Sequence, residues 1–379
     1  MAYLNEKQLA WCAEHEAEAV ELLKTLGKIP APSHHEEKRA AFVRDWLVAQ
    51  GAQNVHIDEA LNVVYPIGVT QDNPVVVIMA HTDIVFPDTE ELAMREENGK
   101  LYAPGIGDDT GNLVTLLMAA KYIAQHDIAP RLGIVLVANS CEEGLGNLKG
   151  SKKIMKDYEG RIVEFISLDG GLKSIANVAV GSCRMKVTIK AQGGHSFSKF
   201  GNTNAIVQMS RLITLLYEKQ PPTKAKTTYN VGVIEGGTTV NSICGECSVL
   251  YEYRSEDRDC LQEMDEFFWE TVEKCRAEGM EIAVEVLGIR PCNGDVPPER
   301  LRELTDRMKA IMQTYTGNTI VERSGSTDAN SALSLGVPAV TIGAIYGELA
   351  HTRGEWVELS SLAIGQKIAM ATVLQYMNE

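Results

Sequence analysis

The chain has 379 residues, with 36 lysines and arginines against 51 aspartates and glutamates, a formal charge of −15 at pH 7. That balance argues against nucleic acid or an anionic membrane as partner, since both are polyanions. With 45% hydrophobic residues there is material for more than one core, and eight cysteines in this length do not make a disulfide scaffold. The first twenty residues carry charges every few positions and no apolar h-region, and no apolar run approaches the ~20 residues that cross a bilayer. The expectation is a cytoplasmic protein of a reducing compartment, in which Cys244 and Cys247 are ordinary thiols.

In chain order, Leu9, Ala13, Ala17, Val20, Leu23 and Leu26 recur at close to helical spacing and predict one helix over residues 6–26. Ser33 and Glu36 have the spacing of a capping box that opens a second helix, and Gly51 closes it. Residues 75–80 (VVVIMA) are apolar without alternation, as in a strand buried on both faces of a parallel sheet. Residues 134–138, 165–168 and 339–342 have the same character, and a helix is expected over 112–125. Residues 184–191, 228–234, 248–254 and 281–287 instead alternate like half-exposed strands, with helical stretches at 204–217 and 261–276 among them. That order, βαββαβ, is the ferredoxin-like pattern. The fold class expected is α/β. A mainly parallel-sheet catalytic domain comprises residues 1–182 and 293–379, with an inserted ferredoxin-like lid or dimerisation domain over 183–292.

Ligands of open α/β sheets bind beyond the carboxyl ends of the strands. His81 and Asp83 follow the first buried run, Glu142 and Glu143 the second, and Asp169 the third; His351 lies beyond the last. Asp108 and Asp109 stand in the Gly-rich stretch PGIGDDTGN before a helix. Taken singly, each has an ordinary use as a cap, a turn residue or a solvated loop charge. Their coincidence at one edge of one sheet points to a site. The Gly-rich stretch lacks G-x-G-x-x-G spacing, and its acidic residues would repel a pyrophosphate, which excludes a dinucleotide site. Two histidines and three carboxylates suit a pair of zinc-like ions, with Asp83 placed to orient His81. Adjacent glutamates can divide the work, one as ligand and the other as base for a water acidified towards pKa ~7.

The motifs HTD, GDDTGN, EEG, LDGG and GGHS and the late histidine, in this order, resemble the M20 metallopeptidases. The peptidase T-like aminotripeptidases are nearest in style, with carboxypeptidase G2-type enzymes close by. The resemblance implies two Zn2+ per subunit, with Co2+ or Mn2+ as substitutes. His81, Asp108 and Asp169 would hold one ion, and Asp108, Glu143 and His351 the other. It implies Glu142 as general base, Asp83 as the partner of His81, and His195 near the substrate carbonyl, often from the neighbouring subunit of a dimer. Asn241, Arg254 and Asp328 become candidate substrate contacts, Arg254 for a carboxylate; Asp328 is equally readable as a helix cap. The sequence departs from the family's D-x-K-G at Asp108-Asp109-Thr110-Gly111, with Thr for Lys. The expected function is hydrolysis of short peptides by a tripeptidase-like exopeptidase, working as a homodimer through the lid domain. Two rival readings are an N-acyl amino acid deacylase with the same centre and an inactive metal-binding interaction protein.

Overall fold

The computed structural model describes residues 3–126 and 128–378. The chain divides into two compact units, Val180–Gly294 and the residues on either side of it.

The larger unit is built on an eight-stranded sheet in the order His56–Ile57, Val63–Ile67, Gly133–Asn139, Val75–His81, Ile162–Leu168, Ala339–Ile342, Ser174–Ala179 and Val321–Gly325. Its centre is parallel, from Gly133–Asn139 across to Ala339–Ile342. Val75–His81 is buried at every position. Val76, Ile78 and Ala80 enter one core with the helices Asn112–His126 and Ser361–Leu374, while Val75, Val77 and Met79 enter another on the opposite face. A strand with no solvated face has no use for polar alternation, which is why this run reads as continuously apolar. Each such side chain contributes roughly 1.5–3 kcal/mol on burial. The helix Asn112–His126 is buried from Asn112 to Ile123, so it too lacks a polar stripe.

Two sequence expectations near the N-terminus are corrected. The single helix over 6–26 is two, Glu6–Glu14 and Glu16–Lys28, broken at His15. The His15 ring stacks on Trp11, with Nδ1 on the Trp11 carbonyl 2.8 Å away, so the end of the first helix is satisfied where the chain turns. The helix Glu37–Ala49 begins without a side-chain cap. The Ser33 hydroxyl donates instead to Asp83 Oδ2 (2.6 Å), and Glu36 Oε1 accepts from the His34 and Cys141 amides. The putting of those two side chains to tertiary use overrides the local capping pattern. Gly51, at φ 97°, does follow the helix end.

Val180–Gly294 has its own core. Its antiparallel sheet runs Thr227–Gly236, Glu246–Ser255, Gly181–Lys190, Glu281–Arg290, with the helices Ala205–Tyr217 and Arg258–Ala277 in the connections. This is the βαββαβ order. Asn204 and Asp257 cap the two helices through their side chains. All eight cysteines are free and buried.

Candidate metal centre

The register of the parallel strands aligns their carboxyl ends. His81 pairs with Asn139 and Leu168 with Ile342. The side chains beyond those ends converge on Asp108, carried by the irregular turn Ile106–Gly111 that feeds the buried helix. His81 Nε2 lies 3.1 Å from Asp108 Oδ1, and His351 Nε2 lies 3.0 Å from Asp108 Oδ2 and 3.4 Å from Glu143 Oε2. Asp108 thus faces a histidine with each oxygen. Two sets of potential ligand atoms result, one from His81, Asp108, Asp109 and Asp169, the other from Asp108, Glu143 and His351.

Hydrogen bonding distinguishes the candidate ligands from the groups already engaged in support. Asp109 Oδ2 accepts from the His81 amide (3.1 Å) and Oδ1 from the Asn112 side-chain amide (2.7 Å), so both oxygens are engaged with neighbouring segments. Asp83 is fully buried; Oδ1 accepts from the Glu142 amide and Oδ2 from the Glu143 amide, each at 2.9 Å. His81 Nδ1 lies 3.1 Å from the Asp83 carbonyl and 3.4 Å from its carboxylate and donates there, which leaves Nε2, facing Asp108, as the nitrogen that a metal would take. One carboxylate therefore fixes a histidine from one strand end and two glutamates from another. Glu142, almost buried, belongs to neither ligand set.

The electrostatics call for cations. Burial, reinforced by Asp108 and neighbouring carboxylates, pushes Asp169 well above the usual carboxylate range. Burial, partly offset by His351, raises Glu143 to about 7. Contacts with Asp108 and Glu143 raise His351 to about 10. Asp108 is held low despite burial, because both histidines face it. Glu143 Oε1 is buried without a hydrogen-bond partner among the described residues. A cluster of carboxylates with an orphaned oxygen, closed by two imidazoles, fits divalent ions with nitrogen and oxygen preferences.

The sequence candidates in Val180–Gly294 fall as follows. Gly194–His195 pairs with Ser242–Ile243, and the Ser196 amide donates to the Asn241 carbonyl (3.0 Å), so His195 and Asn241 come together. His195 Nδ1 accepts from the amides of Phe197 and Ser198, which leaves the proton of the neutral ring on Nε2. Arg254 forms a two-pronged pair with Glu252 (3.0 and 2.9 Å). Asp328, in the larger unit, precedes the helix Ala329–Ser334 but makes no side-chain cap. It is fully buried, accepts from Asn139 Nδ2 (2.6 Å), and burial together with Glu142 raises it to about 7.

Some of the site was invisible to motif reading. Glu355 accepts from the amides of Gly105, Gly107 and Asp108 (2.9, 2.7 and 2.7 Å) and so sets the turn that carries Asp108. Its only sequence signal is its place four residues after His351. Asn112 bridges Asp109, the Gly170 carbonyl and the Ala344 amide, and nothing in its spacing announces that. Arg39 is buried among the segments that carry His81 and Asp108.

A carboxylate shared between two histidine-bearing ligand sets at the strand ends of an α/β domain, with a further glutamate beside them, is the architecture of a two-metal hydrolase. Residues 77–375 match the model of peptidase family M20/M25/M40, and the chain belongs to that family of metallohydrolases. It is 28% identical to acetylornithine deacetylase of Myxococcus xanthus over 79% of each chain. It is 26% identical to succinyl-diaminopimelate desuccinylase of Corynebacterium glutamicum over 94% of this chain and 95% of the other. A tripeptidase structure from Staphylococcus aureus shares the fold with a TM-score of 0.72 at 20% identity, covering 95% of this chain and 98% of that one.

Proposed function

We propose that the chain is a two-zinc exopeptidase that hydrolyses the amide bond of short peptides, with Co2+ or Mn2+ able to replace Zn2+. His81, Asp108 and Asp169 would hold one ion, and Asp108, Glu143 and His351 the other. The observation that carries the reading is Asp108, with one oxygen turned to each histidine. When bound, such a pair supplies Lewis-acid polarisation of the substrate carbonyl and acidifies water. Glu142, held by its amide on Asp83 and outside both ligand sets, takes the water's proton and returns it to the leaving nitrogen. His195, with Nε2–H available in its neutral form, donates to the oxyanion that develops on the scissile carbonyl. Asn241 beside it contacts the substrate, and Arg254 receives a substrate carboxylate by exchanging its Glu252 partner.

The substrate class is supported by a cavity of about 230 Å³ beside Asp108 and Asp169. It is lined by Gly170, Gly171, Gly347 and Glu348, beside the carboxylates of Asp108 and Asp169. Such a wall attracts the free amino group of a peptide and repels an anionic acyl chain. A second reading, deacylation of N-acyl amino acids, is favoured by the names of the two sequence relatives. We further infer a cytoplasmic homodimer formed through Val180–Gly294. The edge strand Thr227–Gly236 pairs on one side only and exposes Val233 and Ile234, and the helix Ala205–Tyr217 exposes Ile206 and Val207.

The test is a panel of di- and tripeptides beside N-acetyl and N-succinyl amino acids, assayed after reconstitution with Zn2+, Co2+ or Mn2+. Peptides with a free amine should be turned over fastest. Preference for a succinylated substrate would establish the second reading, and a wild-type protein that binds no divalent ion would sink both. Glu142→Ala should keep its metal and lose turnover by ~10²–10⁴-fold; near-normal kcat would move the base elsewhere.

A further inference from the structure

We propose that Arg39 is the positioning cation of this centre, and that the hydroxyl of Thr110 is the seat that lets a guanidinium from a distant helix take that place. Arg39, on the helix Glu37–Ala49, has no solvent exposure. Its four hydrogen bonds run to the carbonyls of Thr82 (2.7 Å), Leu26 (3.1 Å) and Ile29 (2.6 Å) and to Thr110 Oγ1 (3.2 Å). Every one of those oxygens is neutral, and Nε is buried with no hydrogen-bond partner among the described residues. A charge this deep, without a carboxylate in its hydrogen bonds, is compensated through space, and the charges that face it are Asp83 and Glu36.

Both ends of the guanidinium's reach belong to the metal site. The Thr82 carbonyl belongs to the Thr82–Asp83 peptide, in the residue between His81 and Asp83, and Thr82 is held from its other side by N and Oγ1, both on the Asn139 carbonyl (2.7 and 2.8 Å). Thr110 follows Asp108 by two residues; its hydroxyl donates to the Gly105 carbonyl (2.6 Å) and so presents lone pairs to Arg39. One side chain therefore ties the segment of His81 and Asp83 to the segment of Asp108, and places a positive charge behind Asp83, the carboxylate that orients His81. Position 110 is where the sequence departs from D-x-K-G. A lysine there could not accept a hydrogen bond from Arg39, and its ammonium would enter the same buried space. Like charges exclude one another there, so a cation at 110 and a cation at 39 are alternative ways of filling one role.

The inference rests on the assignment of His81 and Asp108 as ligands, and three full-length variants test it: Arg39→Met, Thr110→Lys and the double variant. Zn2+ affinity is measured by competition with a chromophoric chelator, and the Co2+ absorption spectrum reports ligand geometry. Arg39→Met should weaken binding of one ion by ~10–100-fold, the usual effect of losing a group that orients a ligand. Thr110→Lys should weaken it at least as much. The double variant should recover to within several-fold of wild type with a wild-type Co2+ spectrum, which a purely space-filling role for Arg39 would not produce. Unchanged affinity in Arg39→Met, or a double variant no better than the weaker single one, overturns the proposal. If Arg39→Met does not fold, thermal melting decides: a double variant that folds supports it, and one that does not overturns it. Wild-type protein that binds no metal removes the ligand assignment itself, an outcome distinct from metal-loaded wild type without rescue.

Discussion

Asp108 couples the two ligand sets, so its loss and that of a terminal ligand should differ in kind. Asp108→Ala is expected to empty both positions and His351→Ala chiefly one, read as metal per chain by elemental analysis. Retention of two ions in Asp108→Ala would remove the bridging assignment. The candidate ligands were legible because histidines and carboxylates stand directly after apolar runs, as with His81 after residues 75–80. Among the supports, Asp83 was legible by its place two residues after His81, whereas Glu355, an acceptor of backbone amides remote from any apolar run, carries no mark in a one-dimensional pattern. Glu355→Gln keeps the shape but loses the charge that collects three amides. It should fold and yet bind metal ~10–100-fold more weakly; undiminished affinity would make Glu355 a bystander. Protons compete with metal at this cluster. His351 and Glu143 both have folded values raised from 6.5 and 4.5, to about 10 and about 7. A raised value means stability that is present below the unfolded value and lost as pH climbs through the folded one. The metal-free protein should therefore lose melting temperature between about pH 5 and 10, with the Glu143 share gone by about 7 and the His351 share towards 10. Asp108, held low, is ionised throughout that window and adds no slope. Zn2+ should flatten the profile, and a metal-free melting curve that instead rises over this range would contradict the assignment of charges.

At the scale of elements, the buried strands of the larger unit and the alternating strands of Val180–Gly294 were readable for opposite reasons. The strand Ala339–Ile342 is apolar throughout because both its faces are covered. Glu246–Ser255 alternates because only one face is, with Cys247, Val249, Tyr251 and Tyr253 buried between exposed or half-buried neighbours. The break at His15 was not readable, because the helical period continues across it while a ring and a carbonyl decide the turn. Nor was the use of Ser33 and Glu36, whose spacing is that of a cap but whose partners, Asp83 and Cys141, are remote in sequence. Close approach between elements makes its own prediction. A methyl at Gly365, in the helix Ser361–Leu374, would overlap the Ala344 carbonyl and come within 2.8 Å of Thr115 Cγ2. Gly365→Ala should cost about 1–3 kcal/mol in denaturant unfolding despite its better helix propensity. A stabilised variant would mean that helix and sheet can part without penalty.

At the scale of the molecule, the chain passes between the two units at Ala179–Val180 and Gly294–Asp295. The excised segment 180–294 should fold cooperatively by circular dichroism, and a non-cooperative melt would show that its core of Met185, Tyr251 and Phe268 depends on the other unit. If the proposed dimer lends His195 to a neighbouring centre, mixed subunits of His195→Ala and Glu142→Ala should regain activity after exchange. No rescue despite proven exchange would confine His195 to its own chain. The sheet order has a further consequence, in time. Ala339–Ile342 lies between Ile162–Leu168 and Ser174–Ala179, both of which precede the inserted unit in sequence. On the ribosome the first strands wait with a gap in their sheet while residues 180–294 emerge, on the order of ten seconds at ~5–20 residues per second. The insert can close its own core in that interval, whereas His351, which lies beyond it in sequence, reaches Asp108 only later. A nascent chain stalled before that point would hold Asp108, Glu143 and Asp169 but only one of the two imidazoles, so the second proposed ligand set closes only after the insert has left the ribosome.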